Sequence, residues 1–242
     1  MDSTKITKPA RKLLNLKLKY CGAVIVAAGS ASRMGGIDKI MAPLGVEPVI
    51  VHTVRQFQNC DAIREIVIVT RPDLIIPIMD LCHGFSKVTA VVVGGDSRDA
   101  SVIMGMNTLS PKCKLVAVQD GARPFADWKL IDRVVRAANS YGAAAPAIPV
   151  KDTVKVVKGG IVKETPERAT LKAVQTPQVF DFSLLRGALK KARQDGIAIT
   201  DDCSAVEYMG MSVKIVDGDE KNIKITTPLD LKIAELILEE SK

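Results

Sequence analysis

The residues best suited to chemistry follow a short apolar run near the start of the chain. Residues 24–26 are β-branched and lead directly into Ala27-Ala28-Gly29, with Arg33 and Lys39 a few positions later. Because Ala and Gly carry almost no side chain, a phosphate or a planar base can approach the backbone there and accept hydrogen bonds from its N–H groups. Arg33 and Lys39 supply positive charge for a triphosphate whose leaving group gains negative charge during reaction. The stretch therefore predicts a buried strand that ends in a nucleotide phosphate loop.

Two better-known phosphate-binding motifs are absent from this stretch. A P-loop requires a glycine, four further residues and then Gly-Lys-Ser/Thr, whereas two residues separate Gly36 from Lys39. The dinucleotide fingerprint requires G-x-G-x-x-G, and Ser-Ala-Ser follows Gly29 instead. The other alternative is a glycine-rich turn without a ligand, which would not require both Arg33 and Lys39.

Two later segments carry further candidates. Gly95, Asp96 and Ser101 follow an apolar run, where they can cap a helix, approach a ligand, or do both. Asp120 and Arg123 follow the next apolar run. Asp120 can hold a ribose hydroxyl or a metal-bound phosphate, and Arg123 can bind a second anion. Alternatively, these two residues form an ion pair that fixes the turn.

A lysine near the C-terminus is the last candidate for contact with an anion. Lys224 lies between two isoleucines in an alternating segment, residues 222–226, which predicts a short strand. A lysine in that position either reaches solvent or faces an anion, and we favour the anion. The two histidines, His52 and His83, have no neighbouring metal ligands, and we interpret both as ordinary helix residues.

The elements that must position these residues alternate between strand-like and helix-like segments. Continuous apolar runs predict strands at residues 24–28, 65–70, 87–93, 115–119 and 143–148. The intervening segments predict helices at residues 48–58, 73–82, 97–109 and 128–140. This pattern indicates an α/β protein with a doubly wound, mostly parallel Rossmann-like sheet, whose ligand site lies at the carboxyl ends of the strands.

Residues 150–174 interrupt the alternation. A Gly159-Gly160 turn separates two charged, alternating segments, which predicts a protruding β-hairpin arm. Beyond the arm, we expect a helix capped by Ser183 and ending at residue 194, a strand at residues 212–216, and a closing helix that begins at Pro228.

Composition and charge limit the class of protein. The 242 residues are 47% hydrophobic, which fits one domain, residues 21–242, after a basic extension at residues 1–20. The net charge is +7, but five of these charges lie in the extension and only 4% of residues are aromatic, which argues against a nucleic-acid partner. No apolar run approaches the ~18–20 residues of a membrane span. The five cysteines form no C-x-x-C pair. We therefore predict a soluble, cytoplasmic protein with reduced thiols and no membrane partner.

Five motifs, in this order, resemble one family. They are Ala27-Ala28-Gly29 with Ser32-Arg33-Met34-Gly35 and Lys39; Asp120-Gly121-Ala122-Arg123-Pro124; Gln175-Thr176-Pro177-Gln178; Thr200-Asp201-Asp202; and Asn222-Ile223-Lys224-Ile225-Thr226. From about residue 22 to the C-terminus, the chain is similar to 2-C-methyl-D-erythritol 4-phosphate cytidylyltransferases. The resemblance implies that CMP is transferred from CTP to this polyol phosphate, with release of pyrophosphate and with Mg²⁺ as the cofactor.

The resemblance also implies a role for each candidate residue. Arg33, Lys39 and Lys224 would be the catalytic cations on the triphosphate. The nucleotide would be bound by Ala27, Ala28, Gly29, Gly95, Asp96, Ser101 and Asp120. The second substrate would be bound by Arg123, Thr176 and two residues of the arm of a second subunit, Thr153 and Arg168. A homodimer is therefore expected, while the protein ligands of the metal are not identified.

The chemistry that the resemblance implies agrees with the scarcity of histidine. The nucleophile is a phosphate monoester, whose second pKa is about 6, so that it is largely a dianion at neutral pH. No general base is required.

Other functions stay open at this point. A cytidylyltransferase that acts on ribitol 5-phosphate would share the nucleotide half and differ in the arm. A non-catalytic nucleotide-binding protein would bind CTP without releasing pyrophosphate. A nucleic-acid-associated protein would use the basic residues 1–20, and its binding would depend on salt concentration.

Overall fold

A computed structural model describes residues 17–29 and 38–240 of the chain. The strands are β1 (Cys21–Val26), β2 (Pro43–Leu44), β3 (Glu47–Pro48), β4 (Ile63–Thr70), β5 (Val88–Val93), β6 (Leu115–Asp120), β7 (Ala143–Pro149), β8 (Val156–Lys158), β9 (Ile161–Glu164), β10 (Lys172–Val174), β11 (Gln178–Asp181) and β12 (Lys214–Asp217). The helices are α1 (Val49–Gln58), α2 (Ile75–Cys82), α3 (Arg98–Thr108), α4 (Trp128–Tyr141), α5 (Phe182–Gln194), α6 (Asp202–Tyr208) and α7 (Pro228–Glu239).

Eight of the described strands form one mixed sheet with a parallel half. The order β5-β4-β1-β6 is parallel throughout, with β1 between β4 and β6. Next to β6 comes the antiparallel strand β11, which also pairs with β7, and β7 pairs in addition with β10 and, in parallel, with β12. The predicted mostly parallel, doubly wound α/β fold is confirmed.

Helices cover both faces of this sheet, as the continuous apolar strands require. In β1, Ile25 faces a buried cluster that includes residues of α1, α2 and α4, whereas Val24 faces a cluster with residues of α3, α5 and α6. A third, smaller cluster joins Leu44, Ile225 and Ala234 of α7. Because Ile225 is fully buried there, the segment that carries Lys224 is fixed against the domain.

Three predicted details differ in the structure. Residues 222–226 form no strand. The Ile225 N–H donates to the carbonyl of Ala122, and the side chain of the buried Asn222 donates to the carbonyl of Thr176, so neither contact belongs to a strand ladder. Asp181, not Ser183, caps α5, since its carboxylate accepts the backbone N–H of Ser183. Pro48 is the N-cap of α1 and not a residue of its first turn.

The predicted hairpin arm is present. Strands β8 and β9 pair antiparallel around Gly159 and Gly160, whose φ angles of +59° and +76° suit the tight hairpin turn. Every residue of the two strands is exposed. The base of the arm contacts the domain through an ion pair between Lys151 and Glu220, at 2.7 Å.

Part of the expected N-terminal extension contacts the domain. Leu18 and Tyr20 pack against the two main clusters, and the Tyr20 carbonyl accepts the N–H of Leu115 at 3.1 Å. Residues 1–16 of that extension lie outside the described residues. Across residues 17–29 and 38–240, no helix is both long enough and apolar enough to span a membrane.

The packing of α3 against the sheet yields a prediction for Gly105. A Cβ at this position would clash with Val24 and would lie 2.8 Å from Val69 Cγ2. We therefore expect Gly105→Ala to lower the free energy of unfolding by about 1–3 kcal/mol through overpacking, partly offset by the better helix propensity of Ala. Urea denaturation measures the change.

Gly187 in α5 is the matched control, because no atom lies within 4 Å of a Cβ built there. Gly187→Ala should raise stability by about 0.5–1 kcal/mol. Equal effects of the two substitutions would contradict the packing described for α3.

Candidate nucleotide-binding site

A cavity of about 400 Å³ opens where β1 and β6 end. All seven residues that the sequence predicts to bind the nucleotide line it, together with two of the three predicted catalytic cations. These are Ala27, Ala28, Gly29, Gly95, Asp96, Ser101 and Asp120, with Lys39 and Lys224. The third predicted cation, Arg33, lies outside the described residues.

Small residues bring the loop after β1 close to its neighbours. A Cβ at Gly94 would lie 2.6 Å from Ala28 Cβ and 2.7 Å from Ser101 Oγ, so glycine is required for this contact. A Cβ at Gly29 would lie 3.9 Å from Lys39 Nζ, which places the Lys39 ammonium group beside the Ala-Ala-Gly backbone. A cation and an open backbone therefore face the same space, as a phosphate group requires.

The loop between β5 and α3 is held by Ser101. Its side chain is buried, and its hydroxyl accepts the Gly95 N–H at 3.1 Å while donating to the Ser97 carbonyl at 2.9 Å. Ser97 caps α3 by accepting the Ala100 N–H. Asp96, in contrast, is exposed at the cavity. The two interpretations of this segment, helix capping and ligand approach, are thus both compatible with the geometry.

Asp120, the last residue of β6, has three cations around its carboxylate. Lys224 Nζ lies 2.8 Å and Arg123 Nε 3.6 Å from Oδ2, and Arg98 Nη2 lies 3.6 Å from Oδ1. Burial by itself raises the pKa of Asp120, but the charges of Lys224, Arg98 and Arg123 outweigh it, so the pKa lies below its ordinary value. The carboxylate therefore stays ionised and holds the cations together.

Arg98 is a site residue that sequence reasoning missed. Its guanidinium group lines the cavity, and its Nη1 lies 2.7 Å from Oδ2 of Asp202, which is fully buried. Arg98 and Asp202 are 104 positions apart in the chain. The only local signal was the position of Arg98 directly after Asp96 and Ser97, in a segment already suspected of ligand binding.

Arg123 and Thr176, predicted to bind the second substrate, lie next to Asp120 and do not line this cavity. Arg123 Nη1 donates to the carbonyl of Asn222 at 2.7 Å. The buried Thr176 hydroxyl accepts the Asp120 N–H at 3.1 Å, and the Thr176 carbonyl accepts the Asn222 side chain. In this chain both residues therefore fix the position of Asp120 and of the segment leading to Lys224.

The two predicted arm residues are exposed. Thr153 and Arg168 do not line this cavity, and Arg168 donates to the carbonyl of Lys151 at 3.0 Å. Within the part of the chain that the structure describes, no cluster of three or more His, Cys, Asp or Glu side chains could hold a metal ion.

The chain matches the model of one known family. The model of the 2-C-methyl-D-erythritol 4-phosphate cytidylyltransferase family matches residues 21–240 of this chain. The chain belongs to this family. It is therefore an enzyme that transfers a cytidylyl group from CTP to a sugar phosphate, and the family predicted from the five motifs is confirmed.

Relatives and solved structures agree with this assignment. The 2-C-methyl-D-erythritol 4-phosphate cytidylyltransferase of Caldanaerobacter subterraneus is 41% identical over 89% of this chain and 97% of its own length. That of Geobacillus kaustophilus is 43% identical over 89% and 96%. Among solved structures, 4-diphosphocytidyl-2C-methyl-D-erythritol synthase from Anaerococcus prevotii has a TM-score of 0.84 at 31% identity, covering 92% of this chain and all of its own.

The charge cluster of this cytidylyltransferase makes stability depend on pH. Because the folded-state pKa of Asp120 lies below its ordinary value, its contribution is complete above about pH 4 and is lost as pH falls through the folded-state pKa. We expect Asp120→Asn to lower the free energy of unfolding by about 1–3 kcal/mol at pH 7. That difference should shrink in denaturation curves below about pH 4.

Asp132→Asn is the control, since Asp132 forms an ion pair with Arg136 on the surface of α4. Its effect at pH 7 should stay within about 1 kcal/mol. An Asp120→Asn variant as stable as the unmodified chain at pH 7 would refute the electrostatic account.

Proposed function

We propose that this chain transfers CMP from CTP to 2-C-methyl-D-erythritol 4-phosphate and releases pyrophosphate. The observation that carries the proposal is the shared cavity, in which Lys39 and Lys224 face the open backbone of residues 27–29. Neither histidine lines this cavity, and His52 bonds to the carbonyl of Leu44 instead. A site rich in cations and without a histidine suits a nucleophile that is already a dianion.

The cations bind different phosphate groups of the triphosphate. Lys39, beside the loop after β1, binds the β- and γ-phosphates together with Arg33. Lys224, held at Asp120, contacts the α-phosphate, where negative charge builds up during in-line attack. Asp120 keeps Lys224 in place before CTP arrives, so that little rearrangement is needed in the transition state.

The remaining lining residues bind the nucleoside. The backbone of Ala27, Ala28 and Gly29 approaches the base, and the segment with Gly95, Asp96 and Ser101 contacts the base and ribose. Thr176 and Arg123 support Asp120 and lie on the side where the second substrate enters. In this arrangement binding and positioning supply the rate enhancement, and no proton moves to the protein.

Mg²⁺ is the proposed cofactor, and the donor set fits an ion carried mainly by the triphosphate. Mg²⁺ is commonly bound through one or two carboxylates plus substrate phosphates. The cavity offers the carboxylates of Asp120 and Asp96, of which Asp120 is already shared among three cations. When bound, the ion would neutralise charge on the phosphates.

We also propose that the enzyme is a homodimer whose arms exchange. The arm exposes a group of apolar side chains, Val154, Val156, Val157, Ile161 and Val162. Exposed apolar strands of this kind are generally covered by a partner, and a symmetric dimer covers both arms at once. Thr153 and Arg168 of one subunit then contact the second substrate in the other.

The five buried, free cysteines support a reducing, cytoplasmic location.

Loss of a phosphate-binding lysine should impair chemistry much more than folding. We expect Lys39→Ala and Lys224→Ala to lower kcat by roughly 10²–10³, by analogy with loss of one transition-state donor. Pyrophosphate release from CTP, Mg²⁺ and 2-C-methyl-D-erythritol 4-phosphate measures the rate, and thermal unfolding checks the fold.

Lys221→Ala is the matched control, because Lys221 directly precedes the segment of Lys224 but pairs with Glu240 on the surface. It should keep the unmodified kcat. Turnover by Lys224→Ala at that same rate would overturn the proposed role. Faster turnover of ribitol 5-phosphate by the unmodified enzyme would reassign the second substrate, and CTP binding without pyrophosphate release would indicate a non-catalytic protein.

Exchange of arms predicts that two inactive variants restore each other. In a mixture of Lys224→Ala and Arg168→Ala, one site of each heterodimer has both residues intact. Statistical mixing should therefore recover about a quarter of the unmodified activity.

A mixture of Lys39→Ala and Lys224→Ala is the control, because both residues line the cavity of one subunit and no heterodimer site is intact. It should recover nothing. A monomer in light scattering, or no recovery in the first mixture after subunit exchange, would contradict the arm's role.

A further inference from the structure

A buried carboxylate pairs with Arg98 but does not itself line the cavity. Asp202, the first residue of α6, has no exposed surface, and its Oδ2 lies 2.7 Å from Arg98 Nη1. Its other oxygen, Oδ1, has no hydrogen-bond partner among the described residues. Burial holds the pKa of Asp202 above its ordinary value, although the charge of Arg98 opposes that shift. A buried charge is unfavourable unless it is paired, and Arg98 supplies that pairing for the Asp202 carboxylate.

Arg98 connects this carboxylate to the phosphate site. Its Nη1 contacts Asp202 at 2.7 Å, while its Nη2 lies farther, at 3.6 Å, from Asp120 Oδ1. Asp202 and Asp120 therefore compete for one guanidinium group, and Asp202 holds it more closely. Asp120 in turn shares its second oxygen between Lys224 and Arg123.

The backbone around Asp202 is fixed independently of Arg98. The side-chain carbonyl of Gln178, in β11, accepts the N–H groups of Asp202 and Cys203 at 3.1 and 3.2 Å. The side-chain amide of Gln178 donates to Asp201, which also caps α6 in a reciprocal arrangement with Ser204. The backbone that carries Asp202 is therefore fixed by β11, whereas the Arg98 side chain is partly exposed.

We propose that Asp202 is a positioning residue for cytidylyl transfer, acting through Arg98. It draws the guanidinium group of Arg98 away from full pairing with Asp120, which leaves Asp120 Oδ2 to hold Lys224 at the α-phosphate. Asp202 does not line the cavity and touches no substrate. The inference rests on the proposed function, because it concerns the same site and the same reaction.

Asp202→Asn tests the proposal, since it removes the charge while keeping the volume and an oxygen that can accept from Arg98. We expect kcat to fall by about tenfold or more, as for a misplaced catalytic group, with the KM for CTP changed by less than about threefold. The split between kcat and KM arises because Lys224 acts on charge that develops in the transition state.

Asp99→Asn is the matched control. Asp99 adjoins Arg98 on α3 but pairs with Arg193, at 3.7 Å, and does not line the cavity. It should keep the unmodified kcat. Both variants are assayed well below their measured unfolding temperatures, so that the rates report folded enzyme.

A double-mutant cycle separates positioning from a merely structural role. If Asp202 acts through Arg98 and Asp120 on Lys224, Asp202→Asn should reduce the remaining activity of Lys224→Ala by less than about twofold. A structural defect would instead reduce activity by the same factor in both backgrounds.

Arg98→Lys carries the same test if Asp202→Asn does not fold, because a lysine keeps the charge but cannot contact both carboxylates with separate nitrogens. We expect a similar fall in kcat. Unmodified kcat in Asp202→Asn or in Arg98→Lys, or equal effects in the two backgrounds, overturns the proposal. An unmodified enzyme that releases no pyrophosphate would instead refute the proposed function.

Discussion

The site depends on one carboxylate that keeps three cations together. Asp120 lies at the end of a buried strand, and Arg98, Arg123 and Lys224 approach it within 2.8–3.6 Å. Without a negative charge at this point the three cations would repel one another, and the segments that carry them come from distant parts of the chain. The carboxylate therefore compensates the three positive charges that meet at this point.

The fold supplies rigid support for this carboxylate. The Asp120 N–H donates to the Thr176 hydroxyl, and Asn222 binds the Thr176 carbonyl, so that three segments meet behind the carboxylate. Ile225 is buried under α7 and fixes the other end of the segment with Lys224. Such support matters for the proposed mechanism, which uses no general base, because the arrangement of charges must then provide most of the transition-state stabilisation.

Sequence patterns predicted the framework and most of the cavity lining for physical reasons. The apolar runs around β1, β4 and β6 are buried on both faces, and the small residues 27–29 allow close approach to the backbone. Alternation and motif resemblance predicted Lys224 as a site residue, and it lines the cavity although its segment is not a strand. Alternation identified the buried face correctly there, because Ile225 packs inward whether or not a strand partner exists.

The pairing of Arg98 with Asp202 could not be predicted from the sequence, because no local pattern relates two residues 104 positions apart. Asp202 lies in the first turn of α6, where an acidic residue is favourable, but this position does not account for its buried side chain. The inward orientation of Arg123 toward Asn222 was equally hidden, since only tertiary structure brings the two segments together. Local composition determines where strands and loops form. Ion pairs between distant segments depend on the topology that brings those segments together.

The most direct test is a crystal structure of the enzyme with CTP and Mg²⁺. The account predicts that the triphosphate lies in the cavity between residues 27–29 and Asp120, with Lys39 Nζ and Lys224 Nζ each about 3 Å from a phosphate oxygen. A triphosphate bound elsewhere, or one in the cavity that neither ammonium group contacts, would contradict it.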